Sequence, residues 1–282
     1  MNSTHLTTDR RTQRDLFVAD LFDASPKGDG PSLEHPLFAL KAGDREVRTY
    51  ERNGLVVTVM PGPAGCATQH DKDVWIYCVS QLVEAINRGR EDVSPIVRFT
   101  AHDFLTTTNR PTSGVGYQRL TAALRRLSGT RVETNVATGG KRSRGGFGLV
   151  DSWTVVERDG DDRTVAIEVE LPGWLFRSVE ALQVLALHPD YFRLRRPLDR
   201  RVYELARKHC GHQRRWRASL AVLHEKSGSR APLKKFRAAV RELVESDELP
   251  GYRVTFDAEG DAVTFHPRTP QGELAAIADV LA

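Results

Sequence analysis

The clearest periodicity in the chain lies between Arg230 and Glu245. There Leu233, Phe236, Val240, Leu243 and Val244 recur at the i, i+3, i+7, i+10, i+11 spacing of a helix that buries one stripe. Arg230, Lys234, Arg237 and Arg241 repeat along the other side, which predicts a short helix with one apolar and one cationic face. Ser229 suits its N-cap and Pro232 its first turn. Taken alone, the stretch is equally a solvated surface helix. A second amphipathic helix is predicted over 115–127. It turns Tyr117, Leu120, Ala123, Leu124 and Leu127 inward and Gln118, Arg119, Thr121, Ala122, Arg125 and Arg126 outward, and Gly129 stops it.

Each cationic helix sits in the same predicted surroundings. Before the first come a helix over 71–88, a short strand at Ile96–Phe99, a helix at Ala101–Thr107 and a turn over 109–114. In the 71–88 helix, Trp75, Val79, Leu82, Val83 and Ile86 form the stripe, Asp71 or Asp73 offers a cap, and Gly89 closes it. After the first cationic helix, strands around 131–136 and 148–156 flank a glycine-rich tip carrying Lys141, Arg142 and Arg144. Before the second, Pro197 opens a helix striped by Leu198, Val202, Leu205, Ala206 and His209. Trp216 then begins another helical pattern with Leu220, Val222 and Leu223, broken by Ser227-Gly-Ser229. After the second, Tyr252–Phe256 and Ala262–Phe265 form a hairpin.

Helix, short helix, turn, cationic helix and hairpin is the order of a winged helix-turn-helix. The expected fold is therefore α+β, with two tandem winged-helix domains at 32–171 and 187–282 joined by a connector at 172–186. A partly disordered segment at 1–31 precedes them. Leu16 to Phe22 has helix-like spacing, Asn53-Gly54 marks a hairpin turn, and the alternating run 164–171 is expected to complete the first sheet.

Charge changes the picture more than composition does. The net charge is only +4, but sixteen Lys and Arg face six Asp and Glu between Leu187 and Ser246, and nine face two between Val93 and Gly148. The cations thus fall in the two blocks that hold the cationic helices, a segregation suited to a polyanion. Cys66, Cys78 and Cys210 are isolated in sequence and read as buried hydrophobes rather than a disulfide framework or zinc site. No run approaches a membrane span and the first residues lack an apolar signal core, so a cytoplasmic protein with no membrane partner is expected.

Enzyme signatures are wanting. Gly139-Gly-Lys141 is followed by Arg142 and lies between strands, unlike a phosphate loop. His209-Cys-Gly-His212 has no second ligand pair, and helix capping accounts for His70-Asp-Lys-Asp73 more simply than a nuclease base with carboxylates. The expectation is a non-enzyme without cofactor. Double-stranded DNA is the expected partner, contacted by Gln118, Arg119, Arg125, Arg126, Lys141, Arg142, Arg144, Arg230, Lys234, Arg237 and Arg241.

Longer strings carry a family resemblance: Ser32-Leu-Glu-His-Pro-Leu-Phe-Ala-Leu40, His70-Asp-Lys-Asp-Val-Trp-Ile-Tyr-Cys-Val-Ser-Gln-Leu82, His188-Pro-Asp-Tyr-Phe-Arg-Leu-Arg-Arg-Pro-Leu-Asp-Arg-Arg-Val-Tyr-Glu-Leu-Ala-Arg-Lys-His-Cys-Gly211 and Leu233-Lys-Lys-Phe-Arg237. In these the chain resembles the replication initiator protein A family of bacterial plasmids, from about Leu16 to His266. The resemblance implies a protein that binds repeats at a plasmid origin, helps open the duplex and recruits host replication proteins. It also implies two winged-helix domains and a homodimer that exchanges with a DNA-bound monomer. The rival readings are a transcriptional repressor with no replication role and, further off, a nuclease.

Overall fold

A computed structural model describes residues 17–21, 24–52, 54–135, 137–138, 141–142, 145–157 and 164–281. Residues 1–16 and 22–23 of the segment expected to be partly disordered, Asn53 of the expected turn, and Arg144 lie outside them. Two short strands, Phe17–Val18 (β1) and Lys27–Asp29 (β2), lead into a short helix, Gly30–Glu34 (α1), which Asp29 caps by accepting from the Ser32 N–H at 2.8 Å. A hairpin of Arg48–Arg52 (β3) and Leu55–Met60 (β4) precedes the helix Asp73–Asn87 (α2). Next come Ile96–Phe99 (β5), Ala101–Thr107 (α3) and Gly114–Gly129 (α4). Strands Arg131–Thr134 (β6), Ala137–Thr138 (β7), Lys141–Arg142 (β8), Gly145–Gly148 (β9), Ser152–Glu157 (β10) and Thr164–Glu170 (β11) follow. Helix Gly173–Glu180 (α5), strand Val184–Ala186 (β12) and a 3-10 turn at Pro189–Arg193 lead to helix Pro197–Cys210 (α6). The chain ends through Trp216–Ser219 (β13), Leu220–Ser227 (α7), Leu233–Ser246 (α8), Tyr252–Asp257 (β14), Ala262–Pro267 (β15) and Pro270–Leu281 (α9).

One topology occurs twice. Helix, strand, helix, helix, strand, strand is realised as α2, β5, α3, α4, β10, β11 and again as α6, β13, α7, α8, β14, β15. In both, the last strand lies between the other two, giving orders β5-β11-β10 and β13-β15-β14. The strand-to-helix corners match as well. Thr100 caps α3 by accepting from the Asp103 N–H, and Ser219 caps α7 by accepting from the Val222 N–H. The third helix of each unit buries the same spacing of apolar residues, Leu120, Leu124 and Leu127 in α4, and Phe236, Val240 and Leu243 in α8.

Several local expectations give way to tertiary pairing. Phe17 and Val18 form a strand parallel to β5, because Phe17 is wholly buried and Ala19 N–H extends the ladder to the Arg98 carbonyl. The hairpin expected from 131–136 with 148–156 is divided between two sheets. Arg131–Thr134 pairs with Gly145–Gly148 and with β4, in a sheet ordered β3-β4-β6-β9, whereas Ser152–Glu157 pairs with β11. The break falls at Gly148, where a Cβ would stand 2.8 Å from the Val150 carbonyl oxygen. The basic tip therefore belongs to an insertion between α4 and β10. Trp216 starts a strand, with helix only from Leu220. Helix α8 begins at Leu233 with Pro232 as its N-cap residue, while the Ser229 N–H donates to Ser227 Oγ, so Ser229 is not the cap. The pairing of β2 with β12 was not legible in a Pro/Gly-rich stretch and a connector.

Two apolar clusters form. The larger gathers α2, α3, α4, α5 and the strands between them; the second gathers α6, α7, α8 and the last hairpin, and it also takes in Leu33 and Ile76. Helix α2 is buried on nearly every side and so serves both.

At this junction lies a group of buried charges. Lys72, just before α2, meets Glu204 of α6 at 2.9 Å, and neither side chain is more than 1% exposed. Glu204 also accepts from Gln69, from Arg201 at 3.1 Å and from the Tyr191 hydroxyl at 2.8 Å. Arg201 donates to the Ser32, Leu33, Glu34 and Lys226 carbonyls. Beside it, Asp73 holds Arg200 at 2.5 Å and Arg110 at 2.6 Å. Asp71 and Asp73 thus serve as ion-pair anchors; α2 has no side-chain cap. Burial pushes the Lys72 ammonium down and the Asp29 carboxyl up from their ordinary values.

Two outcomes follow. Glu204→Ala strands Lys72 and Arg201 without their carboxylate and is expected to cost about 3–5 kcal/mol of stability, read from the urea midpoint. His35, at the end of α1, is pushed down to about 4 by burial, so from pH 6.5 downward the unfolded chain binds more protons than the folded one. Stability is then complete above 6.5 and lost as pH falls towards 4, and His35→Gln is expected to flatten that part of a thermal-melt pH series.

Candidate nucleic-acid interface

The matching burial of α4 and α8 sets their outward positions in correspondence. With Leu120, Leu124 and Leu127 laid on Phe236, Val240 and Leu243, Gln118 corresponds to Lys234, Arg119 to Lys235, Thr121 to Arg237, and Arg125 to Arg241. Gln118, Arg119, Arg125, Lys234, Lys235 and Arg241 are all exposed. Among the described residues, Arg119, Arg125, Lys234 and Lys235 form no ion pair or side-chain hydrogen bond, and Arg241 lies over the Phe256 ring at 5.0 Å. Each helix thus carries cations on the same outward positions. Lys235 was missed in sequence because it falls beside the four-residue repeat of Arg230, Lys234, Arg237 and Arg241; the correspondence with Arg119 reveals it.

Other expected contacts are engaged inside the protein. Arg126 donates from Nε and Nη2 to both oxygens of the buried Asp71, at 2.7 and 2.8 Å, and this pairing raises its pKa. Its task is to tie α4 to the segment before α2. Arg230 lies ahead of α8 and pairs with Glu46 and Asp44 of the first module. Arg237 is held by Asp261, from the β14–β15 turn, through Nε at 3.0 Å and Nη2 at 2.9 Å. The pairing raises the arginine and lowers the carboxyl.

The hairpins divide in character. Lys141 and Arg142 form a two-residue ladder with Ala137 and Thr138 on the inserted hairpin; their side chains, like Arg144, lie outside the described residues. The hairpin that closes the second unit carries an acidic turn. Asp257 accepts from the Glu259 and Gly260 N–H groups and pairs with Arg217. Elsewhere, His209 of the His-Cys-Gly-His string stacks on Trp216 and meets Glu34 at 3.2 Å, and Cys66, Cys78 and Cys210 are buried free thiols. Among the described residues, no group of three or more His, Cys, Asp or Glu is arranged to hold a metal, and no helix is long and apolar enough to cross a membrane.

Fold and surface together define a mixed α+β protein of two like units, each presenting a cationic third helix. Over residues 27–254 the sequence matches replication initiator protein A, and the chain belongs to that family. A Wigglesworthia glossinidia brevipalpis protein named for a role in replication is 38% identical over 258 residues, covering 90% of this chain and 94% of that protein. The fold is similar to a crystal structure of a selenomethionine derivative of domains 2 and 3 of RctB. The TM-score is 0.63 at 11% identity, over 85% of this chain and 98% of that one. A second crystal structure of RctB domains 2–3 is similar at a TM-score of 0.58 and 10% identity, over 87% and 99%.

The two kinds of arginine are separable by experiment. Arg126→Ala is expected to cost about 2 kcal/mol, because it leaves a buried carboxylate short of its donors. Arg119→Ala is expected to stay within about 0.5 kcal/mol of the unaltered chain. Chemical denaturation of both variants checks the assignment.

Proposed function

We propose that the chain is a plasmid replication initiator, that its two units are winged-helix domains, and that α4 and α8 enter successive major grooves of repeated duplex DNA at the origin. The observation that carries this reading is the repetition itself. The same topology, with the same sheet order, presents cations at the same outward positions of its third helix in both halves of the chain. Membership of the replication initiator protein A family supports the same role. Arg119, Arg125, Lys234, Lys235 and Arg241 are the phosphate and groove contacts of the two helices, and the cations of the glycine-rich sequence tip, Lys141, Arg142 and Arg144, add further phosphate contacts. The protein acts by binding and by recruiting host replication proteins, without catalysis or cofactor.

If these eight or so cations each neutralise a phosphate, affinity for origin duplex falls by roughly 10³ to 10⁵ between about 50 and about 200 mM salt. Footprinting on the DNA beside the coding sequence should give protected, regularly spaced repeats, and the chain should sustain a plasmid that carries them. Protection without plasmid maintenance would make the protein a repressor instead. Binding that ignores salt would overturn the electrostatic reading.

A further inference from the structure

We propose that Arg237 reads a base pair rather than a phosphate, and that Asp261 is the residue that positions it. The proposal rests on α8 being a recognition helix and goes on to separate its contacts by task.

The argument begins with the guanidinium. Of its five N–H donors, Nε and one on Nη2 point at the two oxygens of Asp261, at 3.0 and 2.9 Å. Three donors remain on the far edge of the fork, enough for the two parallel hydrogen bonds that guanine O6 and N7 accept in the major groove. Arginine and carboxylate together carry no net charge, so little drives the pair towards phosphate. Lys234 and Lys235 are the reverse case: exposed point charges with no partner among the described residues, suited to phosphate and poor at choosing a base. Arg237 also stands near the start of α8, the part of a recognition helix that meets base edges.

A buttress works only if it is itself fixed, and Asp261 is. Its carbonyl accepts from the Leu220 N–H at 2.8 Å, tying it to the start of α7. Its backbone is in the left-handed region, at φ 41°. The turn before it is closed on Asp257, so tightly that a Cβ on Gly260 would come within 2.5 Å of that carboxylate. Among the described residues of the first module there is no such pair. Thr121 stands at the position corresponding to Arg237, and its hydroxyl donates to the Tyr117 carbonyl at 3.2 Å. The two modules therefore read unlike half-sites, and the base pair set by Arg237 occurs once per bound repeat.

The test is selection from a random-sequence duplex library by the full chain, followed by salt titration of the selected duplex. Arg237→Ala and Arg237→Lys are each expected to flatten preference at one base pair by about 10- to 100-fold, and Arg237→Lys, which keeps the charge, should leave the slope of log affinity against log salt nearly unchanged. Lys234→Ala should leave every base preference intact and reduce that slope by about 0.9. Asp261→Asn frees the arginine, so it should erase the same base preference as Arg237→Ala and steepen the slope by about 0.9. A loss of slope without loss of preference in Arg237→Ala makes the arginine a phosphate contact and overturns the proposal. So does a base preference that survives Asp261→Asn. Failure of the unaltered chain to select any duplex overturns the DNA-binding reading first, and this one with it, so the two failures are told apart.

Discussion

The junction between the two modules centres on one buried carboxylate, Glu204. Glu204 accepts from Lys72, Gln69, Tyr191 and Arg201, groups supplied by the approach to α2, the 3-10 turn and α6 itself. Desolvating these charges is expensive, and apolar side chains of similar volume would hold the junction as firmly or better. What the polar arrangement supplies is direction. An apolar seam tolerates sliding and rotation, whereas a carboxylate surrounded by donors from separate elements is satisfied in one orientation only. The Asp73 pairs with Arg200 and Arg110 extend the same seam, so α2 and α6, the first helices of the two units, are locked along their N-terminal turns.

That lock governs what the outer helices can do. The stretch between the units is packed: Leu175 and Val179 of α5 are buried in the first cluster, and β12 pairs with β2, whose own segment runs into α1 against α6. Two readers on a flexible tether gain only effective concentration from being joined. If α4 and α8 are the readers proposed above, one rigid body would impose a spacing on the DNA, because half-site separation would have to match protein geometry. Replacing Glu204 therefore bears on the phasing of α4 and α8 as well as on stability.

Much of this was legible in sequence, and the part that was not has a common cause. Helical stripes survive in any tertiary setting, so α4 and α8 are found nearly where Leu120–Leu127 and Phe236–Leu243 place them. The hairpin Tyr252–Phe256 with Ala262–Phe265 is local and equally plain. What escaped depends on partners far away in the chain. The Lys72–Glu204 pair spans more than a hundred residues, and nothing in His70-Asp-Lys-Asp73 distinguishes an ion-pair anchor from a helix cap. The divided hairpin after α4 failed for the same reason, since β6 takes β4 as its other neighbour and β10 takes β11, choices that alternation along a strand does not encode. Fold order was thus readable from periodicity, while the sheet each strand joins was not.

The basic blocks show how charge counts mislead and how they can be repaired. Of the sixteen cations between Leu187 and Ser246, Arg200 and Arg201 are buried in the junction. Arg217, Arg230 and Arg237 each meet an acid that lies outside the block, at Asp257, Glu46 and Asp261. Counting within a window credited these arginines to the surface field and left their partners out. The residues that do supply an unopposed field are fewer: Arg119, Arg125, Lys234 and Lys235 fall on the outward positions of two corresponding helices, and Arg195, Lys208 and Arg214 lie elsewhere in the second block. A surface of a few unpaired cations beside arginines held in fixed pairs is better suited to recognition than a uniform positive sheet. On the proposed reading, the unpaired charges would attract any duplex, and the oriented forks, attracting little by themselves, would be left to discriminate once it has docked.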